Sequence, residues 1–323
     1  MSIEKFKEVI EAGYTVSGKY ITLGGAMYEG KAIANLFVNI PLKNLNRHGL
    51  IAGATGTGKT KTLQALTENL SKEGVPTLLM DLKGDLSGIA AIGEEKSFIK
   101  ERHAQMNLPY TPEAFPVELL TISKQDGVRM RATVSEFGSV LLSRILDLSD
   151  VQEGVLAVVF KYCDDHQYPL LDLKDLKKVL QYATEEGKSE FESEYGRVAA
   201  SSTSAILRKI VELENQGAEL FFGERSFETE DLLHTDEKGR GVVNIIRLTD
   251  IQDRPKMFST FMLCLLAEIY NTFPEIGDQE KPKLVIFIDE AHLIFNQASK
   301  ALLNQLENIV KLIRSKGVGL IFC

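Results

Sequence analysis

Residues 53–60 have the clearest capacity for chemistry in this sequence. Glycines begin and end the run 53–58, and Lys59 and Thr60 follow it, which is the spacing of a phosphate-binding loop. Glycines let backbone N–H groups turn inward around a phosphate. The lysine can reach β- and γ-phosphate oxygens, and the hydroxyl can bind Mg²⁺. The candidate nucleotide-binding residues are the loop and the residue after it: Gly53, Ala54, Thr55, Gly56, Thr57, Gly58, Lys59, Thr60 and Lys61.

The flanking residues place this loop between a strand and a helix. Residues 49–52 are predicted as a short buried strand, and Leu63, Leu66 and Leu70 recur with the period of one helix face. A dinucleotide-binding turn requires a third glycine, but Lys61 stands at that position. Hydride-transfer chemistry is therefore excluded, and we predict a nucleoside triphosphate site.

A second candidate site follows the apolar run Leu284–Ile288, where Asp289 and Glu290 come at the predicted end of a buried strand. Ligands bind at the carboxyl ends of strands in parallel α/β sheets. Asp289 could hold Mg²⁺ beside Thr60, and Glu290 is placed to polarise a water for attack on the γ-phosphate. The alternative is a solvated acidic helix cap. The presence of the phosphate loop leads us to favour hydrolysis.

Three further residues have both a functional and a structural interpretation. Asp81 ends the predicted strand 77–81; it either supports the magnesium site or caps the turn that follows, and we favour the first. Arg314 lies at a predicted helix end, where it could stabilise charge on a transferring phosphoryl group or complement the helix dipole. Arg47, just before the loop strand, has the same ambiguity.

Composition limits the class of protein. The chain has 323 residues, 44% of them hydrophobic and 25% charged, as expected of a soluble globular protein with one large or two ordinary domains. The net charge of −8 argues against a broad nucleic-acid-binding surface, although a ring-shaped motor could confine its cations to a pore. Three scattered cysteines, five histidines without metal-ligand spacing and no long apolar run indicate a reduced, cytoplasmic setting with no membrane partner.

The order of predicted elements indicates an α/β protein with a helical insertion. The strand 77–81 completes a β-α-β unit with the phosphate loop, which implies parallel strands. Helices are predicted at 134–148, 151–163, 173–183, 199–214, 255–273 and 299–315, and further strands at 117–122, 241–246, 284–288 and 317–323.

We divide the chain into three parts on this basis. They are an N-terminal segment with short β elements (1–46), a P-loop core (47–93 and 236–323) and a mainly helical insertion (94–235). Because the sequence stops inside a predicted core strand, we expect it to be a fragment of a longer protein, with a core that is truncated at its C-terminal end.

Several motifs together resemble the HerA/FtsK superfamily, and within it the bacterial HerA-like helicase group that carries a helical insertion. They are the loop 52–60, Asp81 with the segment 83–85, and the segment 288–292; the segments 46–53, 131–136 and 312–319 are similar to the bacterial group in particular. The resemblance implies a P-loop NTPase of the RecA-like, ASCE type, in which helices flank a mainly parallel sheet. It also implies ATP and Mg²⁺, double-stranded DNA as a partner and a homohexameric ring.

The resemblance also implies a role for each matching residue. Lys59 and Thr60 would bind phosphate and magnesium, Asp289 magnesium, and Glu290 would activate water with support from Asp81. Arg47 matches an arginine that acts within its own subunit, and Arg314 one that reaches the neighbouring subunit's site. Members carry a polar γ-phosphate sensor, further strands and a C-terminal region beyond the point where this sequence ends.

Three functions fit these observations. The first is an ATP-driven motor on double-stranded DNA that works as a ring when the protein is full length, and this is the function we favour. The second is a P-loop ATPase that remodels protein partners, with the insertion as adaptor. The third is an ATP-dependent switch with little turnover.

Overall fold

A parallel sheet of seven strands is the main feature of the computed structural model, which describes residues 1–277, 279–292 and 300–323. The strands along the chain are β1 Tyr20–Tyr28, β2 Lys31–Pro41, β3 Gly49–Leu50, β4 Thr77–Asp81, β5 Val117–Thr121, β6 Val128–Arg129, β7 Val243–Arg247, β8 Leu284–Ile288 and β9 Val318–Phe322. β1 and β2 form an antiparallel hairpin. The other seven lie in the order β3-β9-β8-β4-β7-β5-β6, and every pair is parallel. The predicted α/β class with a mainly parallel sheet is confirmed.

Helices flank the sheet and form most of the region between β6 and β7. They are α1 Ile3–Tyr14, α2 Lys59–Lys72, α3 Ser97–Met106, α4 Val134–Ile145, α5 Asp150–Asp165, α6 Leu173–Tyr182, α7 Lys188–Glu194, α8 Ala200–Asn215, α9 Pro255–Thr272 and α10 Lys300–Ile313. Short 3-10 turns occur at Leu42–Asn44, Ser87–Ala90, Ala218–Leu220, Thr229–Leu233 and Arg314–Lys316. Within the described ranges, no helix is both long enough and apolar enough to cross a membrane.

Successive strand residues pack into two hydrophobic clusters, one on each face of the sheet. Leu78 of β4 belongs to the cluster that includes buried residues of α4 to α6 and of α8 to α10, whereas Leu79 belongs to the other. Leu63, Leu66 and Leu70 of α2 lie in that second cluster, so the predicted apolar face of this helix is confirmed. Because both faces of the sheet are covered, β4 and β8 are buried along their whole length.

A strand lies where one was predicted at 49–52, but it is shorter than predicted and is not buried. β3 has only two residues, and it pairs with β9 alone among the described strands. Leu50 is 74% exposed because no other described strand or helix covers that side. The phosphate loop therefore starts from a sheet edge.

Two features of the region 94–235 differ from the predicted helical insertion. β5 and β6 fall inside it, yet β5 pairs with β7 in the central sheet. α7 was not among the predicted helices, and its one buried residue, Phe191, gives the sequence no helical period. The boundaries of the three predicted parts stay predictions.

The close approach of β9 to the segment before β3 gives a test of this packing. A Cβ atom on Gly319 would lie 1.9 Å from the carbonyl oxygen of Leu45, so the backbone would have to move. We expect Gly319→Ala to lower the free energy of unfolding by about 1–3 kcal/mol in urea denaturation. Gly154→Ala in α5 meets nothing within 4 Å and should instead gain about 0.5–1 kcal/mol. Equal effects of the two changes would contradict this account.

Candidate active site

The phosphate loop connects β3 to α2 in a conformation that needs its glycines. Gly56 and Gly58 have φ angles of 80° and 98°, which side chains disfavour. A Cβ atom on Gly53 would lie 2.5 Å from the Oγ1 atom of Thr57. Gly58 caps α2 without a side-chain hydrogen bond, so the first N–H groups of the helix stay available. This is the geometry of an anion site at a helix N-terminus.

The two polar residues that begin α2 face this loop differently. Lys59 Nζ donates to the carbonyl oxygens of Gly53 at 2.9 Å and Ala54 at 3.4 Å, so its ammonium group lies over the loop. Thr60 is half-buried, and its hydroxyl has no hydrogen-bond partner in the described part of the chain. Lys61 Nζ instead donates to Gln64 Oε1 at 2.8 Å. Nucleotide binding by Lys61 stays a prediction.

Three adjacent strand ends complete the site. Met80 of β4 pairs with Ile288 of β8, and Ile288 pairs with Phe322 of β9. The residues that follow therefore lie at one level, at the carboxyl edge of the sheet, where ligands bind in parallel α/β folds. Asp81 and Asp289 are thus neighbours in space.

Asp289 is a buried carboxylate with one unused oxygen. The residue is 4% exposed, and its Oδ1 accepts from the Glu290 N–H at 3.0 Å. Oδ2 is buried and accepts from no N–H or O–H group of the described residues, while the thiol of Cys323 lies against the carboxylate. Burial raises the pKa of Asp289, and the Glu290 N–H partly opposes this. An oxygen of this kind fits a magnesium ligand.

Glu290 is held by two basic side chains. Its Oε1 pairs with the ammonium group of Lys83, and its Oε2 lies 3.2 Å from His292 Nδ1. The hydrogen bond from Lys83 holds the pKa of Glu290 below its usual value, against the effect of partial burial. Its φ of 50° is rare for a non-glycine residue. The carboxylate is therefore ionised and fixed.

Asp81 makes the contacts of a turn cap. Its Oδ1 accepts from Gly84 N at 2.7 Å and Asp85 N at 3.2 Å, and its Oδ2 from Leu86 N at 3.4 Å. Burial raises its pKa, and these N–H groups oppose the rise. The three bonds fit the alternative interpretation, that Asp81 shapes the turn after β4. Its role in the magnesium site stays a prediction.

The structure does not bring the two arginines to the other site residues. Arg314 follows α10 and precedes β9, so it lies at the amino edge of the sheet, opposite Asp289. Arg47 is exposed, and its carbonyl oxygen would lie 3.3 Å from a Cβ atom on Gly319, the second residue of β9. Among the described residues, neither guanidinium group contacts the loop or Glu290.

Three residues at the site were missed by the sequence analysis: Lys83, His292 and Cys323. His292 was one of five histidines without metal-ligand spacing and Cys323 one of three scattered cysteines, yet both lie beside carboxylates. Burial, followed by the charge of Asp289, raises the pKa of the Cys323 thiol to about 11. Their positions in the sequence could have identified two of them, because Lys83 and Cys323 follow the ends of strands that were correctly predicted.

The assembled groups can bind a nucleoside phosphate and activate water. The helix N-terminus and Lys59 suit phosphate oxygens. The hydroxyl of Thr60 and the unused oxygen of Asp289 suit a divalent cation. Glu290 is a carboxylate at the same sheet edge that could accept a proton.

The family model described as helicase HerA-like C-terminal matches residues 29–323. Comparison with curated proteins gives no match. Among solved structures, the chain is similar to the unbound form of the bacterial conjugative coupling protein TrwB, with 17% identity and a TM-score of 0.56 over 99% of this chain and 69% of that one.

Two other solved structures share the fold. The coupling protein TrwB in complex with ADP and Mg²⁺ has 16% identity and a TM-score of 0.55, and the match covers 100% of this chain and 70% of that one. VirB4 of Thermoanaerobacter pseudethanolicus has 16% identity and a TM-score of 0.52, over 96% and 77%. These identities show the fold alone. Because the family model covers most of the sequence and the predicted resemblance is confirmed, the chain belongs to the family described as helicase HerA-like C-terminal.

Proposed function

We propose that this protein binds ATP with Mg²⁺ and hydrolyses the γ-phosphate. One observation carries the proposal. At the sheet edge next to the phosphate loop, Asp289 has a buried oxygen without a hydrogen-bond partner among the described residues, and the ionised carboxylate of Glu290 lies beside it. Membership of the HerA-like family supports it. The structurally similar TrwB is known in complex with an ATP analogue and with ADP and Mg²⁺.

In this mechanism each residue has one task. Lys59 exchanges its carbonyl partners for phosphate oxygens. A hydrogen bond from its ammonium group to a charged phosphate oxygen is stronger than one to a neutral carbonyl oxygen. Thr60 and Asp289 would hold Mg²⁺, which neutralises charge on the phosphates. Glu290 orients a water and takes its proton as the water attacks the γ-phosphorus, while the bond to the bridging oxygen breaks and ADP leaves. Lys83 must release Glu290 first, since a paired carboxylate is a poor base.

We further propose that hydrolysis drives a homohexameric motor along double-stranded DNA in the cytoplasm. Family membership and the likeness to TrwB, a conjugative coupling protein, support the DNA partner. The position of Arg314 supports a ring, since it is exposed and lies at the sheet edge opposite its own site. In this assembly Arg314 completes the neighbouring subunit's site, and Arg47 acts within its own.

Two alternatives each rest on one observation. The net charge of −8 suits a P-loop ATPase that remodels protein partners. The Lys83–Glu290 ion pair suits an ATP-dependent switch, in which turnover stays slow until a partner releases the glutamate.

Replacing the proposed base should separate binding from hydrolysis. We expect Glu290→Gln to lower kcat about 10²–10⁴-fold while the Kd for ATP stays nearly unchanged, because the glutamate does not touch the phosphate loop. Steady-state turnover and titration with a fluorescent ATP analogue measure the two effects. Glu214→Gln, which removes a lysine-paired carboxylate on α8, is the matched control. Full turnover by Glu290→Gln would show that the base is misassigned.

Neutralising Lys83 should have the opposite effect on turnover. Lys83→Gln removes the cation that holds Glu290, so we expect basal kcat to rise several-fold. The double variant Lys83→Gln/Glu290→Gln should be as slow as Glu290→Gln alone. Lys177→Gln, from the ion pair between α6 and α8, should leave kcat unchanged. A fall in kcat with Lys83→Gln would mean that this lysine assists hydrolysis directly.

We expect double-stranded DNA to stimulate hydrolysis, and salt to reduce the stimulation.

A mixing experiment tests the ring and the role of Arg314 together. Arg314→Gln and Glu290→Gln should each be inactive alone, yet a mixture should recover activity, because one variant supplies the glutamate and the other the arginine of a shared site. Lys316→Gln serves as control. No recovery in mixed assemblies would place Arg314 outside the reaction.

A further inference from the structure

A cavity of about 370 Å³ lies between α4, α9 and α10. It is separate from the candidate active site, since none of the loop residues, Asp289 or Glu290 lines it. Apolar side chains form most of its wall, among them Phe137, Leu141, Phe221, Phe261 and Leu265. Its volume falls within the range of small-molecule pockets in proteins, about 300–1,000 Å³.

The carboxylates that line this cavity are already paired. Arg225 lies 3.2 Å from Glu136 and 3.3 Å from Glu268, and all three line the cavity. Arg225 also pairs with Glu228 at 2.6 Å. A single arginine therefore holds the carboxylates on the acidic side of the cavity.

Two other arginines line the cavity and form no ion pair with any residue that the structure describes. Arg131 Nε is buried and has no hydrogen-bond partner within the described ranges. Arg144, in the last turn of α4, forms no ion pair with any described residue. A buried donor without an acceptor is unfavourable, and the guanidinium group stays charged under all ordinary conditions. The cavity thus offers an apolar wall and unsatisfied positive charge.

We propose that this cavity binds a small amphipathic monoanion, which is an apolar body with a single carboxylate. The apolar body would cover the aromatic wall, and the carboxylate would accept hydrogen bonds from Arg131 and Arg144. A single negative charge suffices within the lining, because its three arginines exceed its two glutamates by one. Glu228, which pairs with Arg225, is not part of the lining. Nucleotides do not fit this description, since their several charges and polar base would face aromatic side chains.

The surroundings allow such a ligand to enter. Val140 of α4 and Leu312 of α10 line the cavity and are 69% and 50% exposed, so the site is reached from the surface. Gly138 interrupts α4 with a φ of 67°, a conformation that glycine adopts without strain. The side chains on either side of this break, Phe137 and Val140, both reach the cavity.

Three probes of equal chain length test the proposal by isothermal titration calorimetry and thermal unfolding: octanoate, octan-1-ol and octylamine, each below the concentration at which it aggregates or separates from water. We expect octanoate to bind and to raise Tm, and the alcohol to bind about tenfold more weakly or worse, since it lacks charge-assisted bonds. The amine should not bind. Equal affinity for octanoate and the alcohol, or no binding of octanoate, would overturn the proposal.

Variants then locate the site. Arg144→Gln should weaken octanoate binding about tenfold, and Arg144→Lys less. Ala267→Phe, which fills space in the cavity wall, should abolish binding. Arg197→Gln changes an arginine that does not line the cavity and should leave the Kd unchanged. If Arg144→Gln and Ala267→Phe both fold, as judged by Tm, and both bind octanoate normally, the ligand lies elsewhere. The result is independent of ATP hydrolysis.

Discussion

The parallel register of β4, β8 and β9 is the constraint on which the candidate site depends. Ile288 pairs with Met80 on one side and with Phe322 on the other, so the chain leaves the sheet at the same level on all three strands. Parallel strands are kept in this register by apolar side chains on both faces. A shift of one residue would exchange the side chains that β8 places on the two faces of the sheet and carry Asp289 away from the phosphate loop.

The two buried carboxylates at this edge are neighbours but have different surroundings. Asp81 accepts three backbone N–H bonds, which satisfies a buried charge and fixes the turn after β4. Asp289 accepts one N–H bond and keeps a buried oxygen, which is unfavourable unless a cation or a proton is present. The turn held by Asp81 also carries Lys83, so the same aspartate determines where Lys83 meets Glu290.

Features decided by local sequence could be predicted, and features decided by strand order could not. Leu284–Ile288 is an unbroken apolar run, and it is a strand with those bounds; the glycine spacing and the apolar face of α2 were equally local. The exposure of Leu50 follows from the position of β3 at the sheet edge, which no local pattern encodes. The Lys83–Glu290 pair likewise requires β4 beside β8, although the two residues are far apart in sequence.

The position of Arg314 connects chemistry to assembly. It precedes β9, whereas the site lies beyond the carboxyl end of that strand. Five strand residues span about 16 Å, so the arginine and the site of its own subunit are at opposite edges of the sheet. As a cation at a helix end, Arg314 contributes at most about 1 kcal/mol on the surface. If it acts on phosphate, it does so in another subunit, and hydrolysis then depends on ring formation. Turnover in a lone subunit would lack that arginine and would also start with Glu290 held by Lys83.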